Sequence, residues 1–301
     1  YQRLWGQKYP HSIGLFYSAI TQRVGLHPLD EEYITMGMSA WGKPHWYQTM
    51  HNNLVADDAQ VEFKENLHLG IDPNYLSFAS NEDLAASAQL LTETLIGEVM
   101  ARARGFGYST NLVYMGGVAL NCAANARLGS YFENIWIMPN PGDAGSSLGS
   151  AALVHGGRIN WTGAYLGTNI PGAYPVDDII NELLTKQIVG VASGRAEFGP
   201  RAFGNRSLLA DPRGKEIKDK VNEIKRRQKF RPFAPVILVV FLLVFSISSN
   251  VYGVTKVNNE DQLVLWEPIP NEPIGTPKGA NPGRVVWVWD SNTTRENLIG
   301  F

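Results

Sequence analysis

Between residues 84 and 99 the apolar positions Leu84, Ala88, Leu91, Leu95 and Val99 recur at steps of three and four, a period that gathers them on one face of a helix. Ser80 and Asn81 stand just ahead of the run, where short polar side chains can accept from the open amides of a first turn. A short apolar run at 112–115 follows, then two glycines, then an Ala/Asn/Leu segment of helical composition over 119–128. This order predicts a strand, a tight turn and a helix. A second strand is predicted at 134–138 (NIWIM), running through 139–145 (PNPGDAG) into a small-residue helix at 146–154, so the arrangement occurs twice. Residues 156–186, with several glycines and prolines, read as a linker to a strand at 188–192, and a domain boundary is placed near 170. The alternation of helix and strand signals is that of an α/β protein.

The periodicity stops after residue 192. Residues 194–213 (GRAEFGPRAFGNRSLLADPR) set four arginines among glycines, a proline and small polar residues, with no helical or strand period. Arginine presents a rigid fork of donors suited to phosphate or carboxylate, and glycines let the backbone bend close to a ligand. The stretch therefore reads either as an oxyanion pocket or as a solvated turn whose arginines pair with Glu197 and Asp211. Residues 213–231 add nine basic against three acidic residues directly behind it.

Composition narrows the picture. With 301 residues, 44% of them hydrophobic, 18% charged and a net charge of −2, the chain has material for two ordinary globular domains and no overall field for steering nucleic acid. Cys122 is the single cysteine, so no intrachain disulfide exists and a reducing, cytoplasmic compartment is favoured. The chain opens at Tyr1 within sequence that already reads as folded, which suggests an incomplete N-terminus.

The two glycine turns are candidate sites. Gly116 and Gly117 sit where a strand hands over to a helix, a place where open amides and the helix dipole attract phosphate; tight strand–helix packing is the other reading. Asn121 and Asn125, one helical turn apart and so expected to face the same way, could either of them hydrogen-bond a ribose or phosphate. Asp143, after Gly142, reads as a helix N-cap or as one oxygen ligand of a metal that also touches a nucleotide.

In this order and at these intervals, YMGGVALNCAANARL, MPNPGDAGSSLGSA, GRAEFGPRAFGNRSLLADPR and FRPFAPVIL resemble the O-carbamoyltransferase family of nodulation-factor and antibiotic tailoring, as do PHSIGLFYSAIT and EEYITMGMSAWGKP near the start. The resemblance covers about residues 9–237. It implies that residues 1–170 are the C-terminal part of an ASKHA-type, RNase H-like domain and that 171–237 begin a YrdC-like α/β domain. It implies that carbamoyl phosphate and ATP yield carbamoyl adenylate, whose carbamoyl group passes to a hydroxyl of a small acceptor. Arg195, Arg201, Arg206, Lys225 and Arg231 would hold carbamoyl phosphate, with Arg201, Arg206 and Asp143 in catalytic positions. Gly116, Gly117, Asn121, Gly142 and Gly145 would bind the nucleotide, and Asp143 would ligate a divalent metal of the iron or magnesium class.

The sequence departs from the family pattern in two places. The family's histidine metal ligands, in an HxxxH-type motif, have no counterpart among His11, His27, His45, His51, His68 and His155, and the resemblance implies that the first half of the ASKHA domain is missing from this sequence. His45 and His51 read as surface or packing residues. Little or no activity is therefore expected of this chain alone, which leaves a nucleotide-binding relic as one alternative. The second departure is the apolar run VILVVFLLVFSI at 236–247, too short for a span of about twenty residues, which reads as a buried strand pair or a signal-like segment. A membrane-associated or secreted interaction module led by that run is the other alternative. Residues 238–301 are atypical for the family, 268–301 resemble the start of an unrelated secreted family, and this tail is expected to be poorly ordered.

Overall fold

The computed structural model describes residues 2–58, 60–214, 216–231 and 233, with the backbone of two short strands at 254–257 and 263–265. Its internal contacts divide the chain into two units, Tyr1–Ala144 and Gly145–Phe301. The apolar run at 236–247 and the tail at 268–301 lie outside the described residues. Among the described residues no helix is long and apolar enough to cross a membrane.

The first unit opens with α1 (Ile13–Arg23), α2 (Glu32–Ser39), α3 (Tyr47–Leu54) and an antiparallel pair of short strands, β1 (Val55–Asp57) and β2 (Glu62–Phe63). All three helices pack on α4 (Asn81–Gly105), which contains the helix expected at 84–99. Ser80 caps it, accepting from the Asp83 amide at 3.1 Å, while Asn81 is its first residue and donates to the Val24 carbonyl. Glu82 and Asp83 in the first turn and Arg102 and Arg104 in the last oppose the helix dipole with the right sign at each end. Leu84, Leu91 and Leu95 are fully buried, each worth about 1.5–3 kcal/mol of removed apolar surface. Ala85 and Ala88, also fully buried, let the neighbouring helices approach closely.

After α4 come β3 (Asn111–Tyr114) and β4 (Asn134–Ile137), parallel and paired from Asn111 with Asn134 to Tyr114 with Ile137. Both match the expected strands to within a residue at each end. Leu112, Tyr114, Ile135 and Ile137 face a core of Ile96, Met100, Ala124, Leu128 and Phe132, while the alternate positions Val113 and Trp136 are exposed. The helix expected at 119–128 is broken: a 3-10 turn at Gly117–Leu120, then α5 (Cys122–Asn125), then a second 3-10 turn at Leu128–Ser130. The break falls at Asn121, whose side chain accepts the Ala124 amide at 3.0 Å, a local bond that competes with a continuous helix.

In the second unit α6 (Ser146–His155) matches the expected small-residue helix and buries none of its residues. The reading of 156–186 as a linker is corrected by β5 (Asn169–Ile170) and above all by α7 (Val176–Lys186), whose start directly after Pro175 makes the proline a boundary. The strand expected at 188–192 is β6 (Ile188–Ala192), paired antiparallel with β8 (Arg206–Ala210), and β7 (Gly194–Arg195) pairs with β5. The arginine-rich stretch is thus strand at 194–195 and 206–210 and irregular elsewhere. Ile179, Val191 and Leu209 form the core of this hairpin and α7. A further helix, α8 (Ile217–Ile224), buries Ile217, Val221 and Asn222, and β9 (Val254–Val257) and β10 (Leu263–Leu265) form a separate antiparallel pair. Helix and sheet are mixed throughout, as in an α/β protein.

Candidate functional site: two glycine turns and an arginine-rich turn

In the first unit the two glycine turns meet. The Gly116 amide donates to the Pro141 carbonyl at 2.8 Å, and a Cβ on Gly142 would lie 3.9 Å from the Gly117 Cα. Gly116 has φ of 101°, a left-handed conformation that L side chains rarely adopt, and a Cβ on Gly116 or Gly117 would meet nothing within 4 Å. Three expected nucleotide-site glycines, Gly116, Gly117 and Gly142, are therefore together at the carboxyl ends of two parallel strands, with open space before the first two. Gly145, buried, is the N-cap of α6.

Asn121 and Asn125 do not face the same way. Asn121 is 9% exposed and exchanges two 3.0 Å hydrogen bonds with the side-chain amide of Gln89, whose Oε1 also accepts from the Tyr17 hydroxyl. Asn125 donates to the Ala119 carbonyl at 2.8 Å and so holds the 3-10 turn. Glu93, hydrogen-bonded to Gln89 and ion-paired with Arg127 at 2.5 Å, extends this polar network. Burial, and after it the charge of Glu93, drives the Tyr17 hydroxyl pKa well above its ordinary range.

Asp143 is exposed on a 3-10 turn (Asp143–Gly145), and because Gly145 holds the N-cap of α6, the N-cap reading of Asp143 is corrected. Among the described residues no three His, Cys, Asp or Glu side chains gather as metal ligands. A single exposed carboxylate offers one oxygen ligand and is not by itself a metal centre. His51 is bonded instead to Asp58, at 2.8 Å, His11 accepts the Phe63 amide at 3.1 Å, and His45 is exposed.

The arginine-rich turn of the second unit is organised by a carboxylate. Glu197 Oε1 accepts the backbone amides of Phe203, Asn205 and Arg206 at 3.0, 2.8 and 3.2 Å. Burial pushes the Glu197 carboxyl up, but these amides together with its own backbone amide outweigh that and hold it below the ordinary range. Arg206 directs its guanidinium at four backbone carbonyls, those of Ser193, Asn205, Thr168 and Gly194, at 2.7–3.3 Å. Tyr165 and Tyr174 donate to the carbonyls of Phe203 and Gly204. Arg195 is exposed and Arg201 half-buried. Of the pairings in the solvated-turn reading, Arg213 does bind Asp211, at 2.5–2.9 Å, whereas Glu197 takes amides.

Lys225 and Arg231 belong to a second cationic group, at the end of α8. Asn222, fully buried, donates to the carbonyls of Lys229 and Arg231 and accepts from Arg227 at 2.6 Å, tying 227–231 back onto the helix. Lys225 caps α8; although the residue is solvent-exposed, partial desolvation of its ammonium and then Arg227 and Arg231 lower its pKa. A like-charge cluster of this kind is suited to an anion. Sequence reasoning missed Gln89 and Asn222, and it named Glu197 only as a partner for arginines, not as the acceptor of the turn's amides.

Comparison with known proteins gives these two regions a family. A model described as "Carbamoyltransferase N-terminus" matches residues 1–152, and one described as "Carbamoyltransferase C-terminus" matches 180–245. An uncharacterised protein of Synechocystis sp. is 33% identical over 292 residues, 78% of this chain and 47% of its own length. Nodulation protein NolO of Bradyrhizobium diazoefficiens is 29% identical over 264 residues, 75% of this chain and 48% of its own. Nodulation protein U of Azorhizobium caulinodans is 39% identical over 166 residues, 50% of this chain and 29% of its own. The chain belongs to the carbamoyltransferase family. It spans about half the length of the curated relatives it matches.

Proposed function

We propose that this chain carries the nucleotide turn and the oxyanion turn of an ATP-dependent O-carbamoyltransferase. In this reading residues 1–170 are the later part of an ASKHA-type domain and 171–237 the start of a YrdC-like domain. Carbamoyl phosphate, ATP and one water give carbamoyl adenylate, phosphate and pyrophosphate. A hydroxyl oxygen of a small acceptor then bonds to the carbamoyl carbon as its proton is released to solvent, and AMP leaves with the bond between that carbon and the AMP oxygen broken.

The chain's own residues contribute charge and placement. Arg195, Arg201, Lys225 and Arg231 hold the phosphate groups through charge-assisted bonds and offset their mutual repulsion. Arg206 acts on the same turn from behind, fixing the carbonyls of the strands that carry it. Gly116, Gly117 and Gly142 let the nucleotide's phosphates approach bare backbone, while Asn121 holds the start of α5 from within. A divalent metal would have Asp143 as one oxygen ligand and take its others from outside the described residues; no step here is routed through it.

The observation that carries this reading is the arginine-rich turn, rigidly bonded around Glu197 with Arg195 on its solvent side, within the stretch matched by the C-terminal family model. Calorimetric titration of the purified chain with carbamoyl phosphate tests it. Binding that falls about tenfold or more on Arg201→Ala supports the reading, and affinity unchanged by that substitution removes it. An ATP analogue bound with no product formed marks a chain that holds nucleotide without turnover.

A further inference from the structure

Four consecutive amides of the arginine-rich turn already have acceptors inside it. Those of Phe203, Asn205 and Arg206 converge on Glu197 Oε1, and that of Gly204 donates to Ser207 Oγ at 3.1 Å. The convergence has the form of an anion cradle, filled by the chain's own carboxylate. Between Glu197 and Phe203 the backbone makes a short loop that carries Arg201, and the Glu197–Phe203 bond closes its base. The outer side is fixed as well, by the Phe198 amide on the Ala164 carbonyl at 2.7 Å and the Tyr165 hydroxyl on the Phe203 carbonyl at 3.0 Å.

We propose that Glu197 is a positioning residue: its carboxylate closes the 197–203 loop so that Arg201, and not the turn's backbone amides, takes the oxyanion. The proposal rests on the oxyanion reading above and adds which groups recognise the anion. A carboxylate beside an anion site repels its ligand, so Glu197 has to return more in order than it takes away in charge. It does so through three charge-assisted bonds made before any ligand arrives, which spare the loop its ordering cost at the moment of binding.

Repulsion and positioning predict opposite signs. The full 301-residue chain is titrated with carbamoyl phosphate and with inorganic phosphate. Glu197→Ala should weaken binding about tenfold, and Glu197→Gln, which keeps one acceptor oxygen and loses the charge, should weaken it less. In an Arg201→Ala background Glu197→Ala should add less than about twofold, because both act on one contact. Tighter binding by Glu197→Gln, or losses that multiply in the double variant, overturns the proposal. Where Glu197→Ala does not fold, the Gln variant alone is read, by the same sign. If the unaltered chain binds neither probe, the oxyanion reading fails and amide exchange decides the rest. Faster exchange at 203, 205 and 206 in Glu197→Gln, with β6 unchanged, retains the positioning role; unchanged exchange at those amides overturns it.

Discussion

Gln89 and Asn121 face each other amide to amide and exchange two hydrogen bonds of 3.0 Å, both side chains being at least nine-tenths buried. The pair links α4 to the N-cap of α5, the residue that follows the Gly117–Leu120 turn. Replacing Gln89 by Leu leaves both polar atoms of Asn121 short of a partner and the Tyr17 hydroxyl without its acceptor. Gln89→Leu should lower stability by about 1–3 kcal/mol, read as a lower denaturant midpoint at unchanged slope. A midpoint within experimental error of the parent chain would mean that the pair contributes nothing net.

Gly116 separates backbone strain from crowding. A methyl group there would meet nothing within 4 Å, yet φ is 101°. Gly116→Ala should therefore cost about 1–2 kcal/mol through backbone conformation alone. Gly117→Ala, with equal space and no positive φ, is the paired control and should cost less. Equal costs at the two positions would show that the positive φ at Gly116 carries no penalty of its own.

How much of this was legible follows from what each element depends on. The α4 helix announces itself because its apolar period, Ser80 cap and terminal charges are all local. Strands β3 and β4 do so through apolar runs bounded by turn residues. The helix α7 was hidden by its surroundings: Pro171, Gly172 and Pro175 read as linker, although Ile179 and Leu183 behind them carry a helical period. In the site, residue types pointed to chemistry but not to direction. Asn121 turns inward because Gln89, 32 positions earlier, is there to meet it, and Arg206 points at carbonyls set by the β5–β7 and β6–β8 pairings. Such partners are long-range, and no local period encodes them.

Arg206 should behave as a brace. Its four carbonyl bonds need the planar fork of a guanidinium, which a lysine ammonium does not reproduce. Arg206→Lys should destabilise the chain by about 1–3 kcal/mol and speed amide exchange across the β6–β8 pair. Arg195→Lys, at an exposed position, should leave both unchanged. A stable Arg206→Lys chain with native exchange would remove the brace.

The pH dependence of stability should have an acid arm and an alkaline arm with different owners. Glu197 is held below its ordinary range by four backbone amides, so in the folded state it stays ionised where the unfolded chain has taken up a proton. Its contribution is present above the unfolded value of about 4.3 and is lost as pH falls through the folded value below it. Because the carboxylate is partly solvated, this arm should be shallow. Tyr114 is the reverse case. Burial between β4 and the α4–α5 core pushes its hydroxyl up to about 12, so its contribution is complete below the unfolded value of about 10 and disappears as pH rises toward 12. Denaturant midpoints measured across both ranges should show Glu197→Gln flattening only the acid arm and Tyr114→Phe flattening only the alkaline one. Tyr17, still more deeply buried and raised as well, should leave a residual alkaline slope in Tyr114→Phe. An alkaline arm unchanged by Tyr114→Phe would assign the whole of it elsewhere.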